Sequence, residues 1–148
     1  MSSMSYFDIA MRSYSNIDKQ FHLAEEMDWY NLFAAECAQI IEKMLKGILS
    51  ISKLPENTSP HIFDIHSLQV LTRTLHSIYP NTINAQNASW LSDYYFDTKY
   101  PGDNFVEVSK YDAEQILSIT KDLAENLIAL YNSINNTKTN FLSLIHIS

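Results

Sequence analysis

Glu36, Gln39, Glu42, Lys43 and Lys46 recur three and four residues apart within the stretch from Asp28 to Ser52, a spacing that lets side chains meet along one face of a helix. Two readings of that stripe are open. It is a solvated face laced by ion pairs, or Lys43 and Lys46 present cations to a partner surface or an anionic ligand, with Gln39 placed to hydrogen-bond it. His61, Asp64 and His66 also lie close together, but loop spacing fixes no metal geometry, and no histidine stands in a His-Glu-x-x-His or zinc-finger arrangement. Helix capping by Asp64 or His66 is therefore expected there, and no metal site. Asp93 and Asp97 are one helical turn apart among Tyr94, Tyr95 and Tyr100. Paired carboxylates can do acid–base work, yet no third ligand accompanies them, so a helix end with core aromatics is expected.

Other chemistries are excluded by what is missing. The two glycines, Gly47 and Gly102, stand too far apart to cradle a phosphate, and no Gly-x-Ser-x-Gly elbow occurs. Cys37 is the single cysteine, which rules out an internal disulfide and suits a reducing compartment. It falls within an apolar helical arc, where a small buried core residue is expected rather than a nucleophile. A formal net charge of −7 opposes non-specific attraction to nucleic acid. No apolar run of spanning length and no basic-then-apolar start are present, so a cytoplasmic protein with no membrane association is expected.

The element that must position the stripe is the helix carrying it. Trp29, Phe33, Ala34, Cys37, Ala38, Ile40, Ile41, Met44, Leu45, Ile48 and Leu49 recur at helical intervals around it. Their arc is wider than the ~100° stripe of an ordinary surface helix, so neighbours are expected on more than one side. Before it, Ser5 and Asp8 have capping-box spacing and a helix of about five turns follows, with Asp28 expected to cap the next. After it, KLPENTSPHIF reads as a loop, with one helical turn beginning near Ser59. A third helix is expected from about Asp64 to Tyr79, stopped by Pro80, and a short aromatic helix from Asn84 to Phe96. The last begins at Ser109, with Asp112 three residues on, and runs to about Ile134. The expectation is an all-α, antiparallel bundle of about five helices spanning residues 1–135. Residues 136–148 break the pattern at NNTKTN and end in FLSLIHIS, which has the look of translated vector or adaptor sequence and is expected to be disordered or loosely docked.

The order of these pieces resembles the HEPN domain, the higher eukaryotes and prokaryotes nucleotide-binding family. The resemblance covers about Tyr6 to Tyr131 and rests on three segments. AECAQIIEKMLKGIL carries Gln39, Glu42, Lys43, Leu45 and Lys46, with the glutamine displaced by one extra residue. His66, Ser67 and Leu68 match a His-Asp-Leu or His-Ser-Leu element, and Lys99, Tyr100 and Pro101 match Arg-Tyr-Pro with lysine for arginine. The resemblance implies a compact helical bundle, frequent homodimers and, in bacteria, pairing with a minimal nucleotidyltransferase in toxin–antitoxin-like modules. Many members are metal-independent ribonucleases with an arginine four to six residues before a histidine. Here Arg73 precedes His76 by too few residues and Arg12 precedes His22 by too many. A non-catalytic interaction or nucleotide-binding module with no cofactor is therefore expected, with Gln39, Lys43, Lys46, His66, Lys99 and Tyr100 facing a ligand or partner. The alternative is a ribonuclease toxin with a rearranged site built on His66 or His76 with Lys99.

Overall fold

The computed structural model describes residues 4–99 and 107–147, with side chains described for residues 4–94 and 107–138. Within these residues there are six α-helices: α1 (Tyr6–Ser15), α2 (Ile17–Met27), α3 (Asn31–Ser50), α4 (Leu68–Ile78), α5 (Ala85–Lys99) and α6 (Lys110–Ile147). A single 3₁₀ turn, Ile62–Asp64, interrupts the loop before α4. The bundle is all-α, as the helical periodicity predicts. No described helix is long and apolar enough to cross a membrane.

The axis of the bundle is α3. It touches each of the other helices, and Ile40, Ile41, Met44, Leu45, Ile48 and Leu49 are buried along it. Such all-round burial is the sign of a core helix. On α1, Phe7 packs its ring flat on Tyr131 of α6, centroids 3.8 Å apart. Lys110 and Lys121 of α6 reach Glu25 and Asp18 of α2 at 2.8 and 2.9 Å. These exposed pairs are worth little individually.

The helix expected to run unbroken from Tyr6 is two helices. Asn16 leaves helical geometry at φ −107°, ψ 12°, and its side-chain amide donates to the Arg12 carbonyl at 3.0 Å. A side chain that satisfies a carbonyl in this way competes with the backbone ladder. Asp28 ends α2 rather than beginning α3. It adopts the left-handed conformation, φ 51°, ψ 41°, and the Trp29 amide closes back on the Ala24 carbonyl at 3.1 Å, a helix-ending turn that Asp tolerates.

Two expected caps are present. Ser5 Oγ accepts the Asp8 amide at 3.1 Å. Ser109 Oγ accepts the Asp112 amide at 3.0 Å, while Asp112 accepts that of Ser109 at 3.4 Å, a reciprocal capping box. The α4 cap is Ser67, which accepts the Val70 amide at 3.3 Å, so neither Asp64 nor His66 has that role. The last helix continues past Ile134 through NNTKTN. No Gly or Pro interrupts it, and Asn and Thr each cost only tenths of a kcal/mol in a helix. Lys138 then reaches back to the Ile51 carbonyl at 2.8 Å, closing the C-terminal end of α3.

Candidate functional site

The polar stripe of α3 is not an open edge. Lys46 is buried, 4% exposed, and its Nζ donates to Glu42 Oε2 at 3.1 Å one turn earlier. Glu42 is itself buried. His66, leading into α4, brings Nδ1 to 3.3 and 3.2 Å from the two Glu42 oxygens. Opposite a carboxylate, that nitrogen is the donor. The three side chains thus form a group, buried at Lys46 and Glu42 and open to solvent at His66, that ties α3 to the start of α4.

The expectation that the lysines share an outward face is corrected for Lys46, which is buried in the bundle and held by Glu42. Lys43 and Gln39 are half-buried and half-accessible. Lys99 ends α5, but its side chain, like Tyr100, lies outside the described residues. His61 pairs loosely with Asp64 at 3.6 Å, while His66 turns to Glu42, so the three do not converge. Asp93 is exposed; Tyr95 and Asp97 lie outside the described side chains. Tyr94 instead hydrogen-bonds Asp112 in the α6 cap, and burial, followed by this bond, pushes its hydroxyl up to about 12. Burial also pushes the Cys37 thiol up to about 12, so it stays protonated and inert at neutral pH.

A second surface escaped the sequence reading. Between α2 and α3 lies a groove of about 260 Å³, lined by Leu23, Met27, Trp29, Leu32 and Phe33 with Gln39 at its polar side. Leu23, Met27 and Leu32 are 50%, 57% and 68% exposed. Neighbouring exposed apolar residues of this size mark an interaction surface more often than scattered ones do. No sequence signal short of the α2–α3 pairing finds it, because Leu23 and Leu32 lie on different helices and become neighbours only when the two pack.

The family model of the HEPN domain matches residues 7–130. This chain belongs to the HEPN family. The match takes in α1 to α5 and most of α6, so both the Glu42 group and the groove fall inside the HEPN domain. No curated protein and no solved structure matches the chain.

Proposed function

We propose that this HEPN domain is a non-catalytic interaction module that pairs with a second copy of itself through the α2–α3 face. The observation that carries the reading is the groove. It combines a hollow lined by Leu23, Ala24 and Trp29 with a projecting Leu32 on its rim. A two-fold interface brings the same patch to both partners, and a patch that holds both knob and hollow is suited to self-complementary packing. Gln20, Glu36 and Gln39 supply its polar rim. A nucleotide or other anion there would meet the Glu36 carboxylate and no lysine of the groove's lining, and Lys46 is held by Glu42.

Light scattering after size exclusion tests this. The wild-type chain is expected to run as a dimer at micromolar concentration, and Leu32→Glu as a folded monomer, because the substitution places a charge in the apolar centre of the contact. A wild-type monomer overturns self-association. If that monomer forms a complex with a minimal nucleotidyltransferase, the toxin–antitoxin-type pair implied by the family takes its place.

The non-catalytic part of the reading is supported by the missing arginine–histidine pair, since Arg73 precedes His76 by too few residues and Arg12 precedes His22 by too many. General-base catalysis needs a ring nitrogen with an available lone pair. His76 Nε2 spends its lone pair on the Ile83 amide at 3.3 Å, whereas His66, donating Nδ1 to Glu42, keeps Nε2 free and is the residue to test. The purified protein is therefore expected to leave single-stranded RNA intact in the absence of metal, as read on a denaturing gel. Cleavage that disappears in His66→Ala or His76→Ala would establish the rearranged ribonuclease instead.

A further inference from the structure

A cleft of about 400 Å³ opens between α4 and the first turn of α5, on residues none of which line the α2–α3 groove. Gln69, Thr72, Arg73 and His76 line it from α4, and Gln86 and Ser89 from α5. In a chain of net charge −7, no carboxylate is among its lining residues.

Four observations give the cleft one chemical character. Arg73 is exposed and makes no ion pair among the described residues. Thr72 is 2% exposed, yet its hydroxyl has no hydrogen-bond partner. A buried hydroxyl left unsatisfied costs about 1–3 kcal/mol, so a native structure is expected to give it something to bind. Burial lowers the proton affinity of His76 from its ordinary value, and its Nε2 accepts the Ile83 amide. The neutral ring therefore keeps its hydrogen on Nδ1, as a donor. Finally, Ala85 and Gln86 on the wall are the first residues of α5, where backbone amides and the helix dipole favour negative charge.

We propose that this cleft binds a small tetrahedral oxyanion, a phosphate or the phosphoryl group of a small phosphate ester. Arg73 supplies the charge, Thr72 and His76 supply donors, and the α5 amide end supplies the field. A guanidinium fork matches such an oxyanion in two-point geometry. No Phe, Tyr or Trp lines the cleft, and its one ring, the His76 imidazole, is tied by Nε2 to the Ile83 amide, so the phosphoryl group rather than a base is what is recognised.

Thermal melts of the full chain test the site, with inorganic phosphate as the probe against chloride at matched ionic strength. Wild type is expected to gain roughly 3–5 °C at ten times the dissociation constant, by linkage. Arg73→Gln, at an exposed position, folds normally and loses the gain. Thr72→Val replaces the orphaned hydroxyl with a methyl of similar shape; it is expected to melt no lower than wild type without phosphate, while binding phosphate about tenfold more weakly. Glycerol phosphate matching inorganic phosphate identifies an ester as an acceptable source; its failure restricts the site to the free ion. No gain in wild type beyond chloride, or a gain that Arg73→Gln retains, overturns the proposal. Neither result depends on whether the chain dimerises or cleaves RNA, so those tests and this one fail separately.

Discussion

Glu42→Ala is expected to cost about 3–5 kcal/mol of folding stability, because it strands the Lys46 ammonium in the interior without its carboxylate. The pair lies on one face of the most buried helix, with Lys46 Nζ 3.1 Å from Glu42 Oε2 and the lysine only 4% exposed. A folded domain typically has about 5–15 kcal/mol in hand, so this one substitution removes a large part of it. For a domain of this size the melting temperature should fall by roughly 10 °C. Lys46→Met should cost less, since Glu42 keeps His66, which lies largely in solvent. The double variant Glu42→Leu with Lys46→Met should recover most of the loss, because an apolar pair of similar volume needs no charge compensation. Urea unfolding of the three variants reads the pattern directly. A Glu42→Ala variant as stable as wild type would mean that Lys46 finds water or another partner, and would return it to the outward face first expected of it.

The period of apolar residues made the helices and the centrality of α3 legible, because a core helix has to be apolar over most of its circumference and the order of residues records that. Caps with one chemical meaning were legible too, as Ser5 and Ser109 show. Asp28 was not, because the residue types that begin helices also tolerate the left-handed turn that ends them. Nor was the break at Asn16, where the apolar period continues across the junction and only a side-chain bond to Arg12 marks it.

The candidate site was legible as residue types and illegible as exposure. The angular position of Lys46 on α3 matches that of a surface residue, and only the packing of the whole bundle buries it. Gln39 and Leu32 acquire a shared groove only when α2 lies alongside, and Thr72, Arg73 and His76 gain a common cleft only when α5 returns next to α4. How consecutive helices turn and pack on one another decides all three, and no spacing within a single helix encodes that packing.

Gly47→Ala is expected to destabilise the domain by about 2–3 kcal/mol, although in an exposed helix the same change would stabilise by about 1. The reason is the approach of α1 to α3. A methyl group on Gly47 would stand 2.8 Å from Phe7 Cβ, 2.9 Å from its backbone nitrogen and 3.1 Å from its Cα, and a neighbour made of backbone cannot rotate away. Overpacking of this kind typically costs about 1–3 kcal/mol, and here α1 is further held by the stack of Phe7 on Tyr131. Melting followed by circular dichroism should show a fall of roughly 5–10 °C, against almost no change for Ser118→Ala, an exposed control on α6. The clash lies with the Cβ and main chain of residue 7 and not with its ring, so trimming the ring gives no relief: Phe7→Ala combined with Gly47→Ala should lose at least the sum of the two single losses. A double variant more stable than that sum would show that α1 moves aside once its ring is gone, and that the glycine is not what sets the distance between the two helices.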